Sequence, residues 1–163
     1  MSLLRYLTIV VTISLISGCG WKLSQPQSLP ANLRIVYLDS NLSSDFRQSL
    51  VAELSARGSI ITSTRDDAQI RLEQTHFQVE QQELTIDSSG KTAEYELLAT
   101  ACMDIKKTDQ PTQNRCSSAR ARLSNDTSRV LATQFETNNR RALLLSELSR
   151  ILINQIIAQG THP

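Results

Sequence analysis

Three cysteines, Cys19, Cys102 and Cys116, are the side chains of this chain with the most reactive chemistry. Cys19 stands at the end of Leu15-Ile16-Ser17-Gly18-Cys19-Gly20, after an apolar run from Leu7 to Ile16 that itself follows the basic residue Arg5. Charge, apolar segment and small residues, in that order, are the grammar of a secretory signal. The run is about half the roughly 20 residues a membrane-spanning helix requires, so cleavage rather than spanning is expected. A Cys directly after the small pair resembles a bacterial lipobox, in which the thiol is acylated and becomes the new N-terminus. Each buried methylene contributes about 0.8 kcal/mol, so several acyl chains on Cys19 would moor the protein where one would not. An exported chain sits in an oxidising compartment, where the remaining pair, Cys102 and Cys116, is expected to crosslink.

Catalytic chemistry finds little support. The chain has no GxSxG, P-loop, HExxH or CxxC motif, and its two histidines, His76 and His162, are far apart in sequence. No spacing brings a Ser or Cys nucleophile and an orienting acid to His76, which reads as a polar surface residue. Carboxylate pairs such as Asp66-Asp67, or Glu80 with Glu83, are common in any soluble domain. The expectation is a binding or structural module, not an enzyme, with no cofactor and no metal.

Removing residues 1–18 from the 163 leaves 145, which fits one domain with a single core. The leader holds Arg5 and no acid, so 16 of the 17 basic side chains remain against 16 acidic ones. A balanced chain has no global charge to steer it onto nucleic acid, and one Trp, three Tyr and three Phe offer no platform for stacking bases. The expected division is a cleaved signal peptide (1–18), a lipidated tether (19–31), one domain (32–160) and a short tail (161–163). Pro26 and Pro30 hold the tether extended; Trp21 sits either at the lipid interface or against protein.

The cysteine pair needs a scaffold, and the apolar pattern supplies one. Leu33–Leu38 reads as a strand. Phe46, Val51, Leu50 and Leu54 make the stripe of a helix, with Ser43, Ser44 and Asp45 as cap candidates, Asp45 and Gln48 at capping-box spacing, and Arg57-Gly58 as its stop. Ser59–Thr62 adds at most a short extended piece. Ile70 and Leu72 alternate in a strand, then Phe77 and Val79 take the opposite parity, and Leu84 and Ile86 return to the first. Constant register would leave one set in water, so bulges are expected near Gln74–His76 and near Gln81-Gln82. Asp87–Gly90 turns the chain. Tyr95, Leu97, Ala99, Ala101, Met103 and Ile105 then share one face of a strand. After a polar loop from Lys106 to Asn114, Ala119, Ala121 and Leu123 share a face of the next.

If Cys102 faces Cys116, Tyr95 falls opposite Leu123, Leu97 opposite Ala121 and Glu96 opposite Arg122. Apolar then meets apolar and acid meets base, which places a Cys102–Cys116 disulfide across the hairpin on its polar face. Arg129–Gln134 reads as extended or irregular. A second helix spans about Glu136 to Gln159, with Leu144, Leu145, Leu148, Ile151, Leu152, Gln155 and Ile156 as its stripe. Leu143, Ile153 and Ile157 lie off it, as a second contact face or as scatter. The order β-α-β-β-β-α gives an α+β two-layer sandwich, two helices on one face of a four-stranded sheet. The other face, carrying Glu94, Glu96, Cys102, Arg120 and Arg122, is left uncovered.

Cys19-Gly20-Trp21-Lys22-Leu23, Leu29-Pro30, Leu38-Asp39-Ser40 and above all Gly90-Lys91-Thr92-Ala93-Glu94-Tyr95 with the alternating strand after it resemble the LptE family of lipopolysaccharide-assembly lipoproteins. The resemblance runs through nearly the whole mature chain. It implies an outer-membrane lipoprotein, to which Gly20 rather than Asp after the Cys conforms. Such a protein plugs and helps assemble the β-barrel LptD and assists delivery of lipopolysaccharide to the cell surface. Its implied partners are that barrel, lipopolysaccharide and the membrane through the anchor, without nucleic acid. In the family, basic side chains near the hairpin tip and after the last strand are thought to meet lipopolysaccharide. Here the nearest positions read Ser88 and Thr133, and the closest positive charges are Lys91, Arg129 and Arg140. The alternative reading is a freestanding periplasm-facing lipoprotein that binds a peptide or small ligand at its sheet.

Overall fold

The computed structural model describes residues 28–108, 110–125 and 130–160, with side chains through 133–158 in the last helix. The expected signal peptide (1–18), Cys19, Trp21, Arg129 and His162 lie outside the described residues.

After a single 3-10 turn at Ala31–Leu33, the elements are β1 (Ile35–Leu38), α1 (Ser44–Ala56), β2 (Ile60–Thr62), β3 (Ile70–Ile86), β4 (Thr92–Lys107), β5 (Gln113–Ser124) and α2 (Val130–Gly160). The sheet order is β2-β1-β3-β4-β5. β1 runs parallel to both β2 and β3, as a crossover through α1 requires, and β3-β4-β5 is an antiparallel meander. The architecture is the expected α+β two-layer sandwich, but the sheet has five strands, not four. Ser59–Thr62 is more than an extended piece: Ile60, Ile61 and Thr62 pair with Ile35, Val36 and Tyr37. Three residues are too few to display an alternation, and Ile60, 63 % exposed, hides the inward side of what pattern there is.

α1 buries Phe46, Leu50 and Leu54. Its start differs from the expected capping box: Ser43 is the N-cap residue, its hydroxyl makes no capping bond, and the Ser44 hydroxyl donates to Asp45 instead. Its end is a Schellman motif, with the Gly58 N–H donating to the Ser55 carbonyl and the Ser59 N–H to the Leu54 carbonyl, both at 3.0 Å. That closure puts Gly58 at φ 79°, which side chains disfavour.

The first predicted bulge is present. Register slips between Gln74 and His76, so Ile70 and Leu72 face the core before it, and Phe77 and Val79 after it. Phe77 stacks on Phe46 of α1, with ring centroids 4.9 Å apart. The second shift comes later than Gln81-Gln82, between Glu83 and Thr85 and again between Thr85 and Ile86. It returns neither Leu84 nor Ile86 to the core: they are 41 % and 64 % exposed, beyond the reach of the helical layer.

β4 and β5 pair in the anticipated register, with Tyr95 opposite Leu123, Leu97 opposite Ala121 and Cys102 opposite Cys116. Both strands run further than expected, so that the predicted loop from Lys106 to Asn114 is shortened at each end. α2 begins at Val130 rather than Glu136, turning the stretch expected to be irregular into helix. Tertiary anchoring overrides the weak local preference there: the Thr137 hydroxyl shares a hydrogen bond with the Tyr95 hydroxyl of β4 and is also bonded to the Thr133 carbonyl. Leu144, Leu145, Leu148, Leu152 and Ile156 are buried as predicted. Ile153 and Ile157 are buried too, a true second contact face, while Leu143 is exposed. α2 packs against α1, β4 and β5, which places both helices on one side of the sheet.

Candidate functional site

Period-2 alternation fixes which side chains the helices hide. Tyr95, Leu97, Ala99, Ala101, Met103 and Ile105 point into the core, and the residues between them project from the opposite face, where no described element lies. On that face the register aligns cross-strand rows from β3 through β4 to β5. His76, Cys102 and Cys116 form one row, Gln78, Thr100 and Ser118 the next, then Glu80, Leu98 and Arg120, then Gln82, Glu96 and Arg122. Leu98 and the sulfurs are the apolar members of these rows; the rest is amide, hydroxyl and charge.

Cys102 and Cys116 are joined by a disulfide. Asn114 beside it donates to Asp104 at 2.7 Å and to the Thr75 hydroxyl at 3.2 Å, tying the bulge of β3 to β5 across β4. Glu96 faces two guanidiniums, Arg122 at 3.6 Å and Arg120 at 3.9 Å, both too long for hydrogen bonds. One carboxylate between two arginines leaves a positive surplus at this edge. His76 is exposed and paired with Cys102 across the strands. Among the described residues no cluster of His, Cys, Asp or Glu is placed to hold a metal ion, and no helix is long and apolar enough to cross a membrane.

The candidate cations are separated by the fold. Lys91 ends the β3–β4 turn, where Gly90 takes φ 79° and the Asp87 carboxylate accepts from the Ser89 hydroxyl at 2.6 Å, the Ser89 N–H at 2.8 Å and the Lys91 N–H at 3.0 Å. Those bonds, the Ser89 hydroxyl first, hold the Asp87 carboxyl below its ordinary pKa. The Lys91 side chain is exposed on this turn, and its charge contributes, after the hydrogen bonds, to holding Asp87 down. Ser88 is exposed on the same turn, and Thr133 lies in the first turns of α2. Arg140 belongs to a different place, the cleft between α2 and β5, where it lies 3.7 Å from Glu136.

That cleft, about 350 Å³, was not legible in the linear chain. Arg120 borders it from β5, its guanidinium lying toward Glu96 on the uncovered face; Arg140, Arg150, Glu147 and the 64 % exposed Leu143 come from α2. Arg150 is held by Glu147 through bonds of 2.7 and 3.0 Å, which raise its guanidinium pKa further. The local signal was present in β5, which carries Arg115, Arg120 and Arg122 and no acid. What hid it was the neutral total.

No curated protein matches the chain. Three of the solved structures similar in fold are lipoproteins. They are a minor lipoprotein of Acinetobacter baumannii (TM-score 0.63, 19 % identity, 80 % of this chain and 98 % of that one), lipoprotein B of Nitrosomonas europaea (0.71, 16 %, 87 % and 93 %) and the rare lipoprotein B of Shewanella oneidensis (0.67, 16 %, 77 % and 96 %). The family described as LptE, Lipopolysaccharide-assembly, matches residues 31–159, leaving out of the described chain only residues 28–30 and 160. With that match across the sheet and both helices, the chain belongs to the LptE family of lipopolysaccharide-assembly proteins.

Proposed function

We propose that the protein is an outer-membrane lipoprotein, cleaved after Gly18 and acylated at Cys19, that seats its domain inside an LptD-like β-barrel and assists passage of lipopolysaccharide to the cell surface. The observation that carries this reading is the uncovered face of β3-β4-β5, polar and charged over three long strands and braced by the Cys102–Cys116 disulfide. A sheet face left bare by its own helices needs either water or a polar partner, and the lumen of a large outer-membrane barrel is polar. The family match and the lipoprotein relatives support the same reading.

In this role the protein acts by shape and charge, with no bond made or broken. Lipopolysaccharide presents phosphates, which guanidinium and ammonium groups bind by charge-assisted hydrogen bonds; Lys91, Arg129 and Arg140 are the proposed contacts. Extraction of the tagged full-length chain from membranes in mild detergent tests the reading. The expected result is co-purification of a β-barrel of outer-membrane size and incorporation of labelled palmitate that Cys19→Ala abolishes. A monodisperse, unacylated protein without such a partner would refute it.

A further inference from the structure

β5 ends the sheet, and among the described residues no strand pairs with its far edge. Just past it, the Asn125 N–H donates to the Ala93 carbonyl at 2.7 Å, which makes Asn125 and Ala93 a hydrogen-bonded pair of the ladder. Hydrogen-bonded and non-hydrogen-bonded pairs alternate along antiparallel strands. Ala119, Ala121 and Leu123 therefore turn their backbone groups to β4, whereas Ser118, Arg120 and Arg122 turn theirs outward, with their side chains exposed on the uncovered face.

Natural edge strands are kept from pairing by shortness, proline, bulges or charge. β5 is 12 residues long, contains no proline and follows β4 without a register shift, so charge is its one guard. The Arg120 and Arg122 side chains are 67 % and 80 % exposed and share the single carboxylate of Glu96. A second copy of β5 has no acid to offer them. On the helical side of the strand, Ala121 borders the cleft under α2, where Leu143 is exposed beside it. A strand laid along β5 would meet Ala121 in a non-hydrogen-bonded pair, with Cα atoms about 4.5 Å apart and the incoming side chain turned to that cleft. The incoming residues on either side would fall opposite Arg120 and Arg122.

We propose that the edge of β5 takes an extended segment of another polypeptide as a sixth strand. That segment carries carboxylates at alternate positions, opposite Arg120 and Arg122, and between them an aliphatic residue seated against Ala121 and Leu143. The inference concerns the edge of the sheet, whereas the barrel reading concerns its face, so each can fail alone.

The test titrates full-length protein in mild detergent with three short capped peptides: one alternating glutamate and valine, one alternating lysine and valine, and the first N-methylated at its glutamates, whose N–H groups would face β5. The glutamate peptide is expected to bind, and the other two at least about tenfold more weakly. Binding slows amide exchange at Ser118, Arg120 and Arg122 and leaves Ala119 and Ala121, already bonded to β4, little changed. Arg120→Glu with Arg122→Glu weakens the glutamate peptide by about tenfold at low ionic strength, an effect that shrinks as salt rises. Leu143→Asp weakens it by about fivefold. Should a variant shift the thermal unfolding curve, the N-methylated peptide on wild-type protein decides the same point.

No binding of the glutamate peptide, equal binding of either control, or unchanged exchange at the three outward amides overturns the proposal. Protection of those amides in the protein alone, rising with its concentration, places a second copy on the edge and overturns it as well. None of these results bears on the barrel, which co-purification decides.

Discussion

Lys107 shows what burial does to a single charge. It is 7 % exposed at the end of β4, and desolvation lowers its ammonium pKa from the ordinary 10.5. A lysine whose folded pKa lies below its unfolded one costs stability when charged, and stability rises with pH between the lowered value and 10.5 because the unfolded chain then binds more protons. Lys107→Met is expected to raise unfolding free energy by about 0.5–1 kcal/mol at neutral pH and to flatten that alkaline rise, both measurable by urea titration. Asp87 works in the opposite sense. Its folded pKa is depressed by the Ser89 hydroxyl and the turn amides, so its contribution is full above 3.8 and is lost as pH falls through the lower folded value. Asp87→Ala should therefore speed amide exchange at Ser89 and Lys91, and wild-type exchange there should lose its protection in acid.

Among the elements, the helix stop and the braced hairpin carry sharp expectations. Gly58 holds φ 79° with open space where a Cβ would stand, so Gly58→Ala costs backbone strain alone, about 1 kcal/mol by chemical denaturation. The disulfide closes a loop of sequence separation 14. Replacing Cys102 and Cys116 by Ser is expected to cost at most about 3 kcal/mol and to increase hydrogen exchange in β5, the strand at the sheet's edge. The bulge at Thr75 is a third case. Deleting this extra residue would let Gln74 and His76 follow each other in constant register with Ile70, Leu72, Phe77 and Val79 still facing the core, so the expected loss is the Asn114–Thr75 bond and the local bend, with little change in melting temperature as the readout.

The whole molecule is neutral in sum and polarised in space. β3 carries Glu73, Glu80 and Glu83 against Arg71, whereas β5 carries three arginines and no acid, so the two sides of the meander differ in sign. Thr100 stands near the middle of the uncovered face. Thr100→Trp should leave unfolding free energy within about 0.5 kcal/mol and abolish co-purification with the barrel; retained co-purification would place the interface elsewhere. Much of this was legible in the linear chain. Alternation fixed the faces of β4 and β5, the Glu96–Arg122 and Cys102–Cys116 matches fixed their register, and the parity change from Leu72 to Phe77 demanded a bulge. Each is a short-range rule, because strand side chains have period 2 and a hairpin pairs neighbours in sequence. Tertiary structure alone decided the rest. β2 exists because β1 offers it an edge, and the first turns of α2 are anchored by Tyr95. Leu84 and Ile86 stay in solvent, and Arg140 and Arg150 come beside β5 because α2 folds back over it. These depend on which distant segments meet, and periodicity within a segment carries no record of that.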